Sequence, residues 1–161
     1  MSAPWIRASV RAMTGYVPGE QPRIPGLIKL NTNENPYPPS PRVEAALRTM
    51  DPADLRRYPD PVSVALRQCI ADLHRCSIDQ VFVGNGSDEI LALCTWAIVE
   101  DDQRIASFNP SYSLYPILAQ IRDVPFDFVE LPPDFGWTMP PASGAALFFL
   151  TRPNAPTGVC Y

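Results

Sequence analysis

The stretch that decides the fold of this chain is Val81-Phe82-Val83-Gly84-Asn85-Gly86-Ser87-Asp88-Glu89. Its first three residues favour a β-strand, its glycines favour a tight turn, and the apolar run at 90–99 favours a helix. In such a unit the first N–H groups of the helix have no partner, and glycine lets a ligand approach the backbone. The stretch therefore predicts a phosphate-binding turn, although polar caps at such turns are also common where nothing binds.

Strands and helices alternate after this stretch. Strands are predicted at 104–108, 126–131 and 145–150, and a helix at 113–122. Pro116 is compatible with that helix because it lies near the helix start, where its missing N–H would have no partner. The unbroken apolar run at 145–150 is typical of a central parallel strand. The alternation predicts a doubly wound α/β sheet.

Three polar loops follow predicted strands, at 84–88, 109–115 and 151–158. In doubly wound sheets, ligands bind at the carboxyl ends of the strands. We therefore expect the three loops to converge on one ligand site.

The first 41 residues are predicted to form an extended arm. Ten of the twenty prolines lie between Pro18 and Pro61, which favours a stiff and unpacked path, and residues 27–30 are a candidate short strand. The polar segment around Asn33, Glu34 and Asn35 has two interpretations: an arm that lies over a neighbour, or side chains that line a site.

Two amphipathic helices are predicted before the central stretch. Ser40-Pro41 and Asp60-Pro61 each have the cap-and-proline pattern of a helix start. We expect Arg67 to be solvated, and Cys69 and Cys76 to be core or near-core thiols. The apolar stripes are Val43, Ala46, Leu47 and Met50 on the first helix, and Val62, Leu66, Cys69, Ile70 and Leu73 on the second.

Composition limits the possible functions. The 161 residues are about one domain, and the net charge of −4 argues against a nucleic-acid surface. The longest apolar run is about half the length of a membrane helix, and the N-terminus lacks the apolar core of a secretory signal, so a cytoplasmic location is expected.

The residue counts also limit the chemistry. His74 is the sole histidine and no GxSxG turn occurs, which disfavours a Ser-His-Asp site, and a metal site is not expected. Lys29 is the single lysine.

Read together, these loops resemble the fold-type I pyridoxal-phosphate aminotransferases, and more narrowly the histidinol-phosphate aminotransferases. Six segments carry the resemblance in the order and spacing of that family, and together they cover nearly all of the chain. They are Tyr16-Val17-Pro18-Gly19, Leu30-Asn31-Thr32-Asn33-Glu34-Asn35-Pro36, Arg57-Tyr58-Pro59-Asp60, Gly84-Asn85-Gly86-Ser87-Asp88-Glu89, Pro110-Ser111-Tyr112-Ser113-Leu114-Tyr115 and Pro153-Asn154-Ala155-Pro156-Thr157-Gly158.

The resemblance implies a pyridoxal 5'-phosphate site. Gly86, Ser87 and Asp88 would hold the phosphate on helix N–H groups. Tyr112 would stack on the pyridine ring, and Asn154 would donate a hydrogen bond to the ring oxygen. Without the family pattern, Tyr112 would be an ordinary half-buried aromatic residue.

The resemblance also implies a homodimer. Tyr58 matches the tyrosine that reaches the phosphate of the neighbouring subunit, although by itself it would be a surface tyrosine. Tyr16, Glu34 and Asn35 match the arm that closes over the substrate. The implied division places the arm and first helix in 1–58, and a partial three-layer α/β/α cofactor domain in 59–161.

Two family features have no counterpart here. The Schiff-base lysine and the aspartate of the pyridinium nitrogen follow the Asn154 loop in the family, and Lys29 matches neither, so we expect the chain alone to be inactive. In the family, the strand at 81–84 pairs with strands later in the sequence. We therefore expect an unpaired strand and exposed apolar surface, and a marginally stable chain.

The activity implied by the resemblance is the exchange of an amino group between L-histidinol phosphate and 2-oxoglutarate in histidine biosynthesis. Two relatives of the same fold remain alternatives: an aromatic or other class I/II aminotransferase, and a threonine-phosphate decarboxylase. A third alternative is a non-catalytic binding module that keeps the phosphate turn and the dimer arm.

Overall fold

A computed structural model describes residues 5–15, 19–20, 22–140 and 144–161. The chain splits into two compact units. The first combines Met1–Tyr16 with Gly84–Tyr161, and the second is Val17–Val83. The division at 58/59 that the family resemblance implies stays a prediction. None of the helices in the described part of the chain is long and apolar enough to cross a membrane.

The first unit contains three helices and a parallel sheet. The order of its elements along the chain follows the predicted alternation of helix and strand, and Pro116 lies in the first turn of the last helix, as predicted. The elements are α1 (Ala8–Ala12), α4 (Ser87–Ile98), β1 (Ile105–Asn109), α5 (Leu114–Arg122), β2 (Phe126–Glu130) and β3 (Leu147–Phe149). The two intervening helices, α2 (Pro41–Thr49) and α3 (Val64–His74), belong to the second unit.

The sheet has the strand order β2-β1-β3, and both pairings are parallel. Ile105 faces Phe126 on one side and Leu147 on the other. The prediction that the strand at 145–150 is central was wrong, because β1 is the central strand among the described residues and β3 lies at an edge. An apolar run shows that a strand is covered by side chains, but it does not specify how many strands flank it.

The two faces of the sheet are covered differently. Alternation of side chains places Ile105 on the face that packs against α5, where Tyr115 stacks on Phe149 at 4.5 Å. Phe108 lies on the opposite face and contacts the rings of Trp137 and Phe148, at 5.8 and 5.2 Å. Within this unit, loop aromatics take the place of helices on that face. The chain is therefore a partial α/β domain.

Helix α4 is only partly covered. Thr95 and Val99 are buried, whereas Leu93, Trp96 and Ile98 are 44%, 54% and 49% exposed. The sequence of this helix is apolar on nearly all sides, so one flank packs on the unit and the rest faces solvent. The expectation of exposed apolar surface is confirmed.

The second unit contains α2 (Pro41–Thr49), α3 (Val64–His74) and two short 3₁₀ turns, Pro52–Arg56 and Ile78–Gln80. The hydroxyl of Ser40 caps α2 as predicted. Asp60 accepts the N–H groups of Val62 and Val64, which lowers the pKa of its carboxyl group, but α3 begins three residues later than Asp60-Pro61 suggested.

The described part of this unit has almost no core of its own. Ala71 is its single buried residue, and the apolar stripe of α2 is exposed. The expected thiol burial was wrong for Cys69, which is exposed, whereas Cys76 is half-buried. Short helices whose apolar faces lack a covering layer obtain little free energy from burial.

Two strands predicted in this unit do not form. Residues 27–30 and 81–83 lie outside any sheet, and Phe82 is 68% exposed. Arg67, which was expected to be solvated, is partly buried and donates to the carbonyl groups of Ile78 and Val81, both at 2.8 Å. The segment is therefore held by an arginine side chain instead of a neighbouring strand, in agreement with the expectation of an unpaired strand.

Hydrogen exchange tests this arrangement. The N–H groups of Phe82 and Val83 have no backbone acceptor among the described residues, so we expect their exchange to lie within about tenfold of an unstructured peptide. The N–H groups of β1 serve as the internal control and should be strongly protected. Protection of residues 82 and 83 in the monomeric chain would show that this segment is paired.

An ion pair joins Arg104, the residue before β1, to Asp127 in β2 and makes the stability depend on pH. The guanidinium of Arg104 contacts the carboxylate of Asp127 at 2.6 and 2.5 Å and lowers the pKa of that carboxyl group. Because the folded pKa is lowered, the stabilisation is complete above the ordinary carboxyl pKa, and it is lost as the pH falls through the lowered pKa.

We expect Asp127→Asn to reduce the free energy of unfolding at pH 7 by a small amount, because water reaches both partners of the ion pair and screens their attraction. The difference from the wild type should shrink as the solution is acidified below the ordinary carboxyl pKa. Urea denaturation over a pH series measures both effects. Asp102→Asn, at an exposed carboxylate, is the matched control and should leave the free energy of unfolding at pH 7 nearly unchanged.

Candidate functional site

The three polar loops meet at one edge of the first unit, as the sequence predicted. The hydroxyl of Tyr112 donates to the carboxylate of Asp88 at 3.4 Å, which joins the loop after β1 to the start of α4. The hydroxyl of Ser111 donates to Oδ1 of Asn154 at 3.0 Å, which joins the same loop to the loop after β3. Parallel pairing places the carboxyl ends of β1 and β3 side by side, so these contacts follow from the topology.

The start of α4 has the properties of an anion-binding turn. Gly86 precedes the helix with φ 80° and ψ 172°, and no side chain caps the helix. Among the described residues, the N–H groups of Ser87, Asp88 and Glu89 have no acceptor. Gly86, Ser87 and Asp88 are exposed, so these donors are accessible to a ligand.

Two carboxylates modify the charge of this turn. Glu89 accepts the N–H of Asn85 at 2.5 Å, and Asp88 accepts the hydroxyl of Tyr112. Acidic groups at a helix start interact favourably with the dipole but repel a bound anion. The set of backbone donors and the serine hydroxyl nevertheless fits a phosphate monoester, because both acids have donors of their own within the chain.

Tyr112 is half-buried, and its ring lies edge-on to that of Tyr115 at 5.6 Å and 90°. The contact with Asp88 places this ring beside the exposed turn. A flat aromatic ring next to a phosphate-binding turn is a suitable surface for a flat heterocycle.

Asn154 is 2% exposed and clamps its own loop to the loop after β1. Its Nδ2 donates to the carbonyl of Pro110 and to Oγ1 of Thr157, both at 3.0 Å. Its backbone N–H donates to Val159 at 2.8 Å. Since both amide hydrogens already have acceptors, Asn154 can donate to a ligand only if the ligand replaces one of them.

Sequence reasoning missed the polar side chains around Asn154. Tyr115 and Thr151 contact each other through their oxygens at 2.5 Å, and Thr151 lies 3.4 Å from the hydroxyl of Ser111. Ser111 and Tyr115 were part of a recognised segment, but nothing in the local pattern distinguishes a buried hydroxyl contact from a surface serine or core tyrosine.

Three of the other predicted residues belong to the Val17–Val83 unit: Tyr58, Glu34 and Asn35. Tyr58 is fully exposed, and its role toward a second subunit stays a prediction. Glu34 forms an ion pair with Lys29 at 2.7 Å, and Asn35 accepts the N–H of Tyr37 at 3.0 Å. Tyr16 lies outside the described residues.

Gly86 should not tolerate a side chain because of its backbone conformation, although there is space for one. An added Cβ would meet no atom within 4 Å, but φ 80° with ψ 172° is a conformation that only glycine adopts readily. We expect Gly86→Ala to lower the free energy of unfolding by about 1–3 kcal/mol, measured by urea denaturation. Gly15→Ala is the matched control, since it also meets open space but has no positive φ, and it should be nearly neutral.

Comparison with known proteins assigns the chain to a family. The family model for aminotransferase class I and II matches residues 25–161. A histidinol-phosphate aminotransferase from Syntrophus aciditrophicus is 45% identical over 159 residues, which covers 93% of this chain and 43% of that protein. Histidinol-phosphate aminotransferase 2 from Dechloromonas aromatica is 47% identical, covering 98% of this chain and 46% of that protein.

Solved structures show the same fold. The histidinol-phosphate aminotransferase from Sinorhizobium meliloti in complex with pyridoxal-5'-phosphate superimposes with a TM-score of 0.67 at 22% identity. The match covers 78% of this chain and 35% of that chain. The chain thus spans somewhat less than half the length of the curated relatives that it matches.

Proposed function

The chain belongs to the class I and II aminotransferase family, and from this premise we propose that it forms part of a pyridoxal-phosphate-dependent histidinol-phosphate aminotransferase. The complete enzyme would interconvert L-histidinol phosphate and 2-oxoglutarate with imidazole acetol phosphate and L-glutamate, in the histidine biosynthesis of the cytoplasm. The names of relatives that are 45% and 47% identical over the aligned residues support this substrate class.

The observation that carries the proposal is the meeting of the exposed helix start, Tyr112 and Asn154 at one sheet edge. Each contributes a different kind of contact: backbone donors for a phosphate, a ring face for a heterocycle, and an amide for a ring oxygen. Bound pyridoxal 5'-phosphate would supply the electron sink for the chemistry of the amino acid's α-carbon.

The residues of the turn would bind the phosphate. The N–H groups of Ser87 and Asp88 and the hydroxyl of Ser87 are the proposed donors, and the helix dipole adds to the attraction. Gly86 contributes its backbone conformation and its lack of a side chain, because its own N–H donates to the carbonyl of Gly84 at 3.0 Å. The repulsion from the carboxylate of Asp88 is reduced because this group accepts the hydroxyl of Tyr112. The same hydrogen bond links the orientation of the aromatic ring to that of the phosphate turn.

Asn154 would donate to the cofactor ring oxygen by exchanging one acceptor for another. We assign the exchanged acceptor to Thr157, because its oxygen would retain the N–H of Val159 at 3.3 Å as a partner. The bond to the Pro110 carbonyl would remain and would hold the two loops together. The exchange therefore needs no unpaired buried group.

The remaining roles concern the dimer and the substrate. In a proposed homodimer, the exposed Tyr58 would reach the phosphate bound by the other subunit. Tyr16, Glu34 and Asn35 would belong to an arm that closes over the substrate, with 1–58 as arm and 59–161 as partial cofactor domain. The ion pair of Glu34 with Lys29 would have to open or take part in that closure.

Lys29 is not proposed as the lysine that carries the cofactor. Its ammonium contacts Oγ1 of Thr32 and the carboxylate of Glu34, both at 2.7 Å. Both contacts would have to break before this amine could attack an aldehyde. The chain alone is therefore expected to bind the cofactor without covalent attachment and to lack transaminase activity.

Binding of pyridoxal 5'-phosphate to the 161-residue chain tests the phosphate turn. We expect Ser87→Ala to weaken binding about tenfold, because a hydrogen bond to a charged group contributes roughly 1.5–3 kcal/mol and water replaces part of it. Equilibrium dialysis measures the affinity. Ser113→Ala is the matched control, since this exposed serine makes no cap bond, and its affinity should equal that of the wild type.

Two results would contradict the proposal. One is equal affinity of the Ser87→Ala and wild-type chains for the cofactor, which would place the phosphate elsewhere. The other is a cofactor adduct on Lys29 that mass spectrometry detects after borohydride reduction and that is absent in Lys29→Ala. This adduct would make Lys29 the attachment site.

A further inference from the structure

Asn154 stands at the end of a row of hydroxyl groups. The phenol of Tyr115 lies 2.5 Å from Oγ1 of Thr151, which lies 3.4 Å from Oγ of Ser111. Ser111 in turn lies 3.0 Å from Oδ1 of Asn154. We call this row, from Tyr115 through Thr151 and Ser111 to Asn154, the hydroxyl relay.

The orientation of the Asn154 amide is set by the Pro110 carbonyl. A carbonyl oxygen cannot donate, so the amide group that lies 3.0 Å from it must be Nδ2. The other side of the carboxamide, facing Ser111, must therefore be the acceptor Oδ1.

The direction of every proton in the relay follows from that orientation. Oδ1 of Asn154 only accepts, so Ser111 must give it the single proton of its hydroxyl. Ser111 can then only accept from Thr151, and Thr151 can only accept from Tyr115. The relay has one consistent polarity, and it begins at the phenol of Tyr115.

The surroundings of the relay favour a fixed geometry. Tyr115 is 5% exposed, and its ring is stacked on Phe149, itself 6% exposed, at 4.5 Å and 13°. Its other ring contact is with Tyr112, the proposed stacking residue. The three contacts of the relay are partly buried. Hydrogen bonds in a row that is shielded from bulk water polarise one another, so Oδ1 becomes more negative and the Nδ2 hydrogens become stronger donors.

We propose that Tyr115, Thr151 and Ser111 are positioning residues, which fix the carboxamide of Asn154 and strengthen its donation to the cofactor ring oxygen. The inference rests on the proposed function for its ligand, but the relay itself is a property of the described chain. Tyr115 supports both residues that are proposed to contact the cofactor ring. Its hydroxyl orients Asn154 through the relay, and its ring packs edge-on against Tyr112.

Exchange of the Asn154 side-chain amide hydrogens, followed by NMR in the ligand-free 161-residue chain, tests the relay. Thr151→Val interrupts it at nearly constant volume, and Tyr115→Phe removes its first donor while keeping the stacked ring. We expect both variants to accelerate this exchange about two- to tenfold, the range for one hydrogen bond. Thr151→Ser should restore the wild-type rate, and the exposed Tyr37→Phe should not change it.

The backbone of the same loop separates positioning from support of the fold. The N–H groups of Asn154 and Gly158 donate to Val159 and Asn154, at 2.8 and 2.7 Å. A positioning role leaves their exchange unchanged while the side-chain amide accelerates. If the backbone groups accelerate equally, the relay only stabilises the loop, and the proposal is wrong. Unchanged side-chain exchange in Thr151→Val would also overturn it.

A pair of ligands tests the consequence for the cofactor. We expect the wild-type chain to prefer pyridoxal 5'-phosphate over its analogue without the ring oxygen, and Thr151→Val to lose about two- to tenfold of this preference while keeping its affinity for the analogue. A preference that persists in Thr151→Val contradicts the positioning role. If the wild type binds neither ligand, the proposed function fails, and the exchange measurement still decides whether the relay positions Asn154.

Discussion

Parallel pairing of β1 with β3 is the constraint on which the candidate site depends. It brings the loops that follow these strands to one edge, where Ser111 and Asn154 meet although 43 residues separate them in the chain. The same pairing puts Phe149 under the ring of Tyr115, so the aromatic support and the hydroxyl relay have one origin. Antiparallel pairing would send the two loops to opposite ends of the sheet.

The elements set by local pattern could be predicted from the sequence. The cap-and-proline signal of α2 and the apolar runs of the strands after residue 100 gave elements within a few residues of those observed. The convergence of the three polar loops also followed, because strand order and chain direction in an α/β sheet leave few alternatives. The family resemblance then gave each loop a chemical role that composition could not.

The predictions that failed concern residues whose structure depends on partners distant in the chain. Residues 81–83 have strand-like composition, but a strand forms only where another strand accepts its hydrogen bonds. Arg67 appeared solvated by helical position, yet its guanidinium reaches carbonyl groups 11 and 14 residues ahead. The hydroxyl relay escaped prediction because each of its contacts joins residues that are 36 to 43 positions apart, and each residue has an ordinary alternative role.

The two halves of the site differ in how firmly they are held. Asn154 and Tyr115 are buried against the sheet, so their positions share the stability of its core. The phosphate turn lies at the start of α4, which keeps much of its apolar surface in solvent. Local opening is easiest where few apolar contacts must break, so the turn should open more readily than the loop held by Asn154.

A ligand that binds both halves of the site would therefore stabilise chiefly the turn, because the turn is the half that is less stable without the ligand. The bond from Tyr112 to Asp88 is the described side-chain link between them, and it gives a cofactor held at the firm half a means to order the weaker one.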